Sequence, residues 1–590
     1  MKTLFMDNNK RNFRALLSLT IFSLILFVSS FLYSYTRIFW LFELPPFIFT
    51  TIVSIFSVFI VFQSDGSLFR FSINDLTIVF FFSYILISSQ IVSTADVVSD
   101  RIYFVIGYFI FFLLVRQLFT FIKREWVISV LFSLCLVQAS LGCLQYLQLL
   151  PFSFNKVTGI RGTLFYSNVY GCLMAIGICI NVYLIPRANE KLWKLLLYVF
   201  FFMFLLTLFL SLSRTAVIAA ASGAGLIIIS SSGLSGKLFK TGSVLLTSLL
   251  FFSISAFLLF LNIKSVIGRL IIWKISFSMF LAHPFWGTGF GTFFTQYGNY
   301  QADFFLARNI SENLANIAGM NYQPFSELIR IVIENGVIGL LLALVIFALI
   351  VKTLLRSSVE IIWIAILAVV MIFCLVSYPF TDITITAIFI STLCVINKKE
   401  RVFLTIKLNP LKSLFVVLLL TTATALSIQK IQAIIKWGEY QNALRYRSGD
   451  NITYYQKIYP VLSNNGSFLF NYGAELAAIG QSKESLKVLN RASNYCTNIE
   501  LYTELGNNYF LNKDYAKAEF CFLRAAYMVP KKFVPINNLL EFYRNTNQNK
   551  KARQIAKKIC EQPIKVPSLI VDQIKSKACT FLKTQGLYEN

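Results

Sequence analysis

The chain has 590 residues, of which 57% are hydrophobic and only 14% charged, and its mean hydropathy is +0.68. This composition excludes an ordinary water-soluble protein and a disordered chain, and it is typical of a protein that crosses a membrane many times. The formal net charge of +26 would favour nucleic acid binding in a soluble protein, but in a membrane protein it must first be divided between the two faces.

Apolar segments of about twenty residues follow one another from the N-terminus to about residue 429. We predict thirteen membrane-spanning helices there. The first apolar run is longer than the core of a typical signal peptide and lacks a small-residue cleavage site, so we interpret it as an anchor. The predicted spans are centred near residues 24, 54, 83, 111, 138, 176, 202, 223, 252, 345, 369, 388 and 420.

The placement of lysine and arginine predicts the orientation of these spans. Most of these residues fall on the face that also holds the N-terminus. Connections rich in lysine and arginine lie in the cytoplasm, so this face is predicted to be cytoplasmic. An odd number of spans then places residues 262–335, and everything after residue 429, on the outer, periplasmic face. The short connections on that face hold only Arg37, Arg101, Lys156, Arg161 and Arg214.

Residues 262–335 form the longest polar interval between predicted spans. Long connections are usually functional or disordered, and an abundance of aromatic residues argues against disorder. Within HPFWGTGFG, Pro284 and the glycines at 287, 289 and 291 predict tight turns. We therefore predict a folded loop over a substrate site. Its aromatic residues include Trp273, Phe285, Trp286, Phe290, Phe293, Phe294, Tyr297 and Tyr300.

The sequence predicts neither a metal centre nor another cofactor. His283 is the only histidine, so a structural role in its turn is favoured over catalysis. No C-x-x-C pair is present, and the cysteines in apolar segments are best interpreted as small hydrophobic residues. The pairing of the four tail cysteines, Cys496, Cys521, Cys560 and Cys579, is left open.

Beyond residue 429 the apolar runs end and a period of about 33 residues indicates tetratricopeptide-like helix pairs. Small residues at fixed positions would let paired helices approach closely, and stacked pairs would form a solenoid. Such a platform would face a protein or a glycan, or would cap the membrane domain. The matching positions are Leu505, Gly506, Tyr509, Tyr515, Ala518, Phe522, Ala525 and Pro530 in the clearest repeat, Gly473, Gly480, Leu489 and Ala492 one period earlier, and Tyr543 and Ala552 one period later.

Three arginines share the predicted outer face with the long loop: Arg161, Arg214 and Arg269. Guanidinium groups bind phosphate oxygens bidentately, so three that converge would suit a diphosphate. Interfacial arginines also reach routinely for lipid headgroups or pair with carboxylates, and we accept that plainer interpretation for Arg101. Arg214 is different, because only a few residues separate two long apolar runs around it, and an ionisable group so placed is a functional candidate.

Two glutamates stand out in SELIRIVIENG, at the entry to the next span. Glu327 and Glu334 share one helix face, and Arg330 lies three residues after Glu327. The group is either an ion-pair cluster that stabilises the helix entry or a site in which Glu327 acts as a general base. From the residues alone the ion-pair interpretation is favoured.

The ordered motifs GTLFYSN, LSLSRTA, GRLIIW, HPFWGTGFGTF and ENGVIGL, over about residues 158–341, together resemble the O-antigen ligase and polymerase family. The resemblance implies a multispan glycosyltransferase that needs no metal. Such an enzyme takes a glycan from an undecaprenyl diphosphate carrier on the periplasmic face. It passes the glycan to a lipid A core sugar, to another carrier-linked glycan or to a protein side chain.

By position, Arg214 and Arg269 match the family's arginines, and Arg161 is a further match. We predict Arg214, Arg269 and Glu327 as catalytic residues, and Arg161, Trp273 and Arg330 as substrate-binding residues. Many family members carry a histidine in the segment that here reads NYQPFSELIRIVIENG, where this chain has Gln323, Pro324, Phe325 and Ser326 instead. Either Glu327 takes its place, or the acceptor is activated differently, or the chain belongs to a polymerase-like branch.

The predicted fold class is therefore all-α. Residues 1–429 would form a polytopic membrane bundle of 12–13 spans, and residues 430–590 a periplasmic α-solenoid of tetratricopeptide-like repeats. The expected partners are the carrier-linked glycan, its acceptor, membrane lipids and a protein bound to the repeats, with no nucleic acid. The alternative functions are a polysaccharide transporter or flippase, and an envelope assembly scaffold that acts through its repeats.

Overall fold

The computed structural model describes residues 2–33, 43–63, 68–92, 99–150, 159–231, 263–307, 312–398, 400–444 and 452–584. It is 80% helical, so the all-α prediction is confirmed. Its residues fall into two compact units. The first comprises residues 1–88, 101–262 and 325–438, and the second comprises residues 89–100, 263–324 and 439–590.

The first unit is a bundle of apolar helices. Its large core is built from isoleucine, valine, leucine and phenylalanine side chains. In chain order its helices are α1 (Lys2–Phe31), α2 (Pro45–Gln63), α3 (Ile73–Val92), α4 (Ile102–Leu118), α5 (Arg124–Tyr146), α6 (Ser167–Leu184), α7 (Lys191–Leu210) and α8 (Arg214–Ser231).

Four further helices of the chain follow the long connection: α12 (Glu327–Arg356), α13 (Ile361–Val376), α14 (Ile383–Asn397) and α15 (Pro410–Leu444), the last of which continues into the second unit.

Within the described residues, eight helices are long and apolar enough to cross a membrane, and four more are apolar but shorter. These helices contain twelve of the thirteen predicted span centres, and the centre near residue 252 lies outside the described residues. The chain is thus suited to cross the membrane several times, whereas the full count of thirteen and the orientation stay predictions.

Helix α12 is interrupted at Gly336, whose φ of 64° and ψ of −167° are not helical. Glycine adopts this conformation without the steric cost of a side chain. The carbonyl of Asn335 at the break accepts a hydrogen bond from the Tyr84 hydroxyl at 2.7 Å. The part after the break, residues 337–356, is about 30 Å long at 1.5 Å per residue, enough to span a membrane alone. The preceding turns, with both glutamates, form a separate entry helix.

A two-stranded antiparallel ribbon joins the entry to α3 with the segment after α14. Strand β1 (Leu68–Ser72) pairs with β2 (Val402–Lys407), and Leu68 lies opposite Lys407. The helical periodicity of the sequence did not predict these short strands.

A buried carboxylate lies next to the ribbon. Asp75 accepts hydrogen bonds from Arg116 Nε at 2.9 Å and from Asn397 Nδ2 at 3.2 Å, which ties α3, α4 and α14 together. The buried charge is therefore both paired and hydrogen-bonded, as a group in an apolar interior requires.

The second unit contains α9 (Ile263–Ala282), α10 (Thr292–Leu306) and α11 (Glu312–Ile317) from the long connection, together with the C-terminal helices. The predicted domain 1–429 groups these three helices with the spans instead. The C-terminal helices are α16 (Ile452–Leu462), α17 (Gly466–Ala478), α18 (Ser482–Ala492), α19 (Ile499–Leu511), α20 (Tyr515–Met528), α21 (Phe533–Asn545), α22 (Asn549–Glu561) and α23 (Leu569–Thr584).

Consecutive C-terminal helices pack against each other, as helical repeats do. A Cβ atom added at Gly506 in α19 would lie 2.9 Å from the Phe522 ring of α20, so the expected close approach at a small residue is present. A disulfide between Cys560 and Cys579 joins α22 to α23. The assignment of these pairs to the tetratricopeptide class stays a prediction.

Candidate functional site

A group of ionisable side chains occupies the N-terminal ends of alternate helices in the first unit. Arg101, before α4, interacts electrostatically with Glu43, Glu334 and Arg330, and the segment before α14 bonds to Glu327, so these ends belong to one face of the bundle. By the predicted orientation this is the outer face. We call the group the ionic cluster, and it consists of Glu43, Arg101, Glu327, Arg330, Glu334 and Asp382.

The centre of the ionic cluster is an ion pair on the entry helix of α12. Arg330 Nη2 lies 2.6 Å from Glu327 Oε2, and Glu327 is 1% exposed. The other carboxylate oxygen of Glu327 accepts a hydrogen bond from the backbone N–H of Phe380 at 2.9 Å. The predicted i, i+3 contact is therefore present, and it is buried, so the loss of either partner would leave an uncompensated charge.

Arg101, which immediately precedes α4, belongs to the same cluster. It is half-buried, and burial lowers its pKa, whereas Glu334 and Glu43 oppose that change by favouring the charged guanidinium. Glu334 is itself buried, at 3% exposure. The sequence interpretation expected Arg101 to reach for lipid headgroups or to pair with a carboxylate. The structure places it near Glu334 and Glu43, which belong to the candidate site.

Asp382 caps the N-terminus of α14. Its Oδ1 accepts from the backbone N–H groups of Thr384 at 2.8 Å and Ile385 at 3.3 Å, and the residue is 1% exposed. Burial raises the pKa of this carboxyl group to about 6, although the capping amides pull it down. Such a group changes charge close to neutral pH, as an acid–base catalyst does.

Aromatic side chains line the same end of the bundle. The Tyr166 ring lies 5.1 Å from the Tyr378 ring, and the Phe325 ring lies 5.4 Å from Tyr378 on another side. Tyr33 donates a hydrogen bond to the carbonyl of Thr381 at 3.3 Å. Flat rings beside charged groups are suited to hold a sugar or a lipid near them, because they offer an apolar face with a polar edge.

Phe325 has a strained backbone. Its φ is 56°, which is rare for a residue with a bulky side chain. The strain falls in the segment where this chain lacks the family's histidine, immediately before the buried Glu327. Strained residues occur most often at functional sites, where the surrounding structure holds them in place.

Arg161 and Arg214 lie on two loops that contact each other. The Ile160 N–H donates to the Leu210 carbonyl at 3.0 Å, and a Cβ atom at Gly159 would lie 2.6 Å from the Ser211 carbonyl oxygen. Arg161 is half-buried and Arg214, the first residue of α8, is exposed. The positive end of a helix dipole disfavours a cation there but would support an anion bound by the same arginine.

Arg269 and Trp273 lie on α9 in the second unit, and both are half-buried. The indole N–H of Trp273 donates to the carbonyl of Pro324 at 2.9 Å. Its ring therefore has a fixed orientation, and a substrate would meet the ring rather than the N–H. The three predicted turn glycines of the following loop have positive φ values of 75°, 97° and 78°, as expected, and His283 before them is exposed.

The arrangement thus brings Glu327 and Arg330 together with Arg101, Glu334 and Asp382, and it joins the loops of Arg161 and Arg214. Sequence reasoning missed Glu43, Arg101 and Asp382 as members of a site. For Asp382 a signal was available, since an ionisable residue directly before the apolar run ITITAIFI must lie at the membrane edge.

Comparison with known protein families finds a match in the middle of the chain. Residues 198–344 match the model of the O-Antigen ligase family. No curated protein shows detectable similarity to the chain. The match supports membrane glycosyltransferase activity of the O-antigen ligase type as an enzyme class, without a specific reaction.

Proposed function

We propose that this chain transfers a glycan from an undecaprenyl diphosphate carrier to an acceptor at the outer face of the inner membrane. The acceptor is a lipid A core sugar, a growing carrier-linked polysaccharide or a protein side chain. The observation that carries the proposal is the O-Antigen ligase match over residues 198–344, because this interval includes Arg214, Arg269 and Glu327.

The charges of the arginine loops and of the ionic cluster suit these two groups to different roles in the reaction. In the reaction an acceptor hydroxyl attacks the anomeric carbon, the bond from that carbon to the phosphate oxygen breaks, and the diphosphate leaves with its electron pair. Exposed Arg214 and half-buried Arg161, on contacting loops, suit the oxygens of that leaving group. The ionic cluster contains four carboxyl groups and only two guanidinium groups, so it is less suited to an anion and better suited to receive the acceptor's proton.

We retain Glu327 as the proposed base and add Asp382 as the alternative. Burial raises the pKa of Glu327, although its ion pair with Arg330 and its hydrogen bond from the Phe380 N–H favour the charged form. Burial likewise raises the pKa of Asp382, to about 6, which suits proton transfer near neutral pH. Glu327 accepts from the N–H of Phe380, two residues before Asp382, so the two carboxyl groups belong to one site.

The disulfide between Cys560 and Cys579 supports a periplasmic location for the C-terminal helices, because such bonds persist in oxidising compartments. It agrees with the orientation proposed from lysine and arginine placement, in which the N-terminus is cytoplasmic.

Transfer is tested with purified protein in proteoliposomes that contain carrier-linked glycan, with candidate acceptors supplied one at a time. We expect acceptor-linked glycan and free carrier diphosphate to form together, and the acceptor that works identifies the branch. A deletion strain should accumulate carrier-linked glycan on the outer face. Accumulation on the inner face alone would favour the flippase alternative and would contradict the proposal.

A further inference from the structure

Helix α10, from the long connection, packs against the C-terminal helices, and α20 is its main partner. The contact is tight at Gly298. A Cβ atom added there would lie 2.6 Å from Thr497 Cγ2, between α18 and α19, and 3.3 Å from Met320 Cε. This helix therefore approaches the repeats as closely as a residue without a side chain permits.

Polar contacts surround this tight point. Thr497 donates its hydroxyl to the carbonyl of Thr295, and Gln301 Nε2 donates to the carbonyl of Met528. Arg524 Nη2 lies 3.0 Å from Asp303 Oδ1. The partners are about 200 residues or more apart in the sequence, since Thr497 and Thr295 are separated by 202 positions. Several independent bonds along one helix indicate a fixed docking register.

Four residues of α10 are almost completely buried. Phe293, Tyr297 and Ala302 are each at most 1% exposed, as is the polar Gln301. A helix of 15 residues is only marginally stable alone in water, so its order depends on the surfaces that cover these residues. The C-terminal repeats provide much of that cover.

Helix α10 is also linked to the helix that carries Arg269 and Trp273. The two helices pack against each other, and Lys274 Nζ on α9 lies 5.8 Å from the Phe304 ring centre of α10. Gln301 Nε2 also donates to the carbonyl of Gly319, after α11, at 3.0 Å. A Cβ atom at Gly268, next to Arg269, would lie 3.3 Å from Ile317 Cγ2 of α11. A shift of α10 would therefore be transmitted to α9.

We propose that the C-terminal repeats hold α10 of the same chain against α20 and Thr497 and thereby position the segment 263–324 for glycan transfer. The effect on glycan transfer rests on the proposed function, whereas the docking of α10 does not. The occupant of this part of the repeat surface is a segment of this chain and not a separate protein. Gly298 and Thr497 are positioning residues, since neither needs to touch the substrate.

The test uses the full-length protein and a pair of complementary substitutions. Gly298→Ala adds a methyl group that collides with Thr497 Cγ2 without weakening the helix, because alanine favours helix more than glycine does. Thr497→Ser removes that Cγ2 and retains the hydroxyl that bonds to Thr295. The double variant should therefore fit again. Gly319→Ala is the control for an added methyl group, since a Cβ atom there meets nothing within 4 Å and the backbone carbonyl that accepts from Gln301 is retained.

Two measurements separate docking from function: hydrogen exchange of the α10 amides, and kcat and KM for glycan transfer. In Gly298→Ala we expect protection of α10 to fall about tenfold or more, the scale of an extra methyl group forced into a packed contact, and kcat to fall with it. Gly298→Ala/Thr497→Ser should restore both quantities, and Gly319→Ala should change neither.

Unchanged protection of α10 in Gly298→Ala would overturn the docking, whether or not the chain transfers glycan. Lost protection with wild-type kcat would overturn the positioning role. Failure of the double variant to restore either quantity would show general damage to the fold and would likewise contradict the proposal. If no variant and no wild-type protein transfers glycan, the proposed function fails, and the exchange data still decide the docking.

Discussion

Glu327 and Arg330 form an ion pair one turn apart, with 2.6 Å between Arg330 Nη2 and Glu327 Oε2, and the glutamate is 1% exposed. Glu327 also anchors the segment before α14 through its bond from the Phe380 N–H. A buried charge that links two helix entries contributes to the fold whether or not it takes part in chemistry. Tests of its catalytic role must therefore separate the two effects.

Glu327→Gln is expected to lower both stability and turnover. The amide can still accept from Phe380, but Arg330 loses the carboxylate with which it forms a direct ion pair, and Glu334 offsets only part of that loss. Removal of one partner of a buried pair costs about 3–5 kcal/mol. Turnover per folded molecule should fall about a hundredfold or more if Glu327 is the base. Thermal unfolding in detergent and a transfer assay normalised to folded protein measure the two effects.

The double variant Glu327→Gln/Arg330→Met is the control. Removal of both charges eliminates the uncompensated guanidinium, so much of the lost stability should return. Turnover should stay low, because the base is still missing. Wild-type turnover per folded molecule in either variant would assign the pair to structure alone.

Asp382 should give the protein a pH-dependent stability. Burial raises the pKa of this carboxyl group from 3.8 to about 6 in the folded state. The folded state thus binds the proton more tightly than the unfolded state, so the resulting stability is fully present below about pH 4 and is lost as the pH rises through 6. The change is about 3 kcal/mol at most. Thermal unfolding in detergent at pH 4.5, 6 and 7.5 should show the decline.

Asp382→Asn should flatten this decline, because asparagine does not titrate yet still caps a helix. Asp572→Asn changes an exposed carboxyl group in α23 and should keep the wild-type slope. An unchanged slope in Asp382→Asn would mean that another group causes the pH dependence. If Asp382 is also the base, its variant should lose turnover at every pH.

Local features of the sequence predicted the helices and the Glu327–Arg330 pair, whereas long-range contacts stayed hidden. A run of apolar residues, or two charges three positions apart, is readable without the rest of the chain. The bond from Phe380 to Glu327 spans 53 positions, and that from Thr497 to Thr295 spans 202. Such contacts depend on how helices pack, and neither hydropathy nor periodicity contains that information. The β1–β2 ribbon was missed for the same reason.

The Cys560–Cys579 disulfide provides a test of the orientation. Intact cells treated with a membrane-permeant alkylating reagent should leave these two cysteines unmodified, and both should become reactive after reduction, as peptide mass spectrometry can measure. Reporters fused after residue 429 and within residues 301–318 should both have periplasmic activity. Alkylation of both cysteines without reduction, or cytoplasmic activity of either fusion, would contradict the odd number of spans.

The arginines test the diphosphate site. As the bond to the sugar breaks, the leaving diphosphate gains negative charge, so a fixed cation beside it stabilises the transition state more than the ground state. Arg214→Ala and Arg269→Ala should therefore each lower kcat by about two to three orders of magnitude, with a smaller change in KM. Lysine should restore activity only in part, because a point charge cannot reproduce the two parallel bonds of a guanidinium group.

Arg124→Ala is the matched control for Arg214→Ala. Arg124 is also the first residue of an apolar helix, but it begins α5 on the predicted cytoplasmic face, with Glu360 at 3.9 Å. Loss of a charge at a helix N-terminus would affect both variants alike, whereas loss of a phosphate ligand would affect only Arg214→Ala. Equal kcat in the Arg124 and Arg214 variants, at equal amounts of folded protein, would refute the assignment of Arg214 to the diphosphate. A tenfold or larger difference between them would locate the leaving group at the loops that carry Arg161 and Arg214.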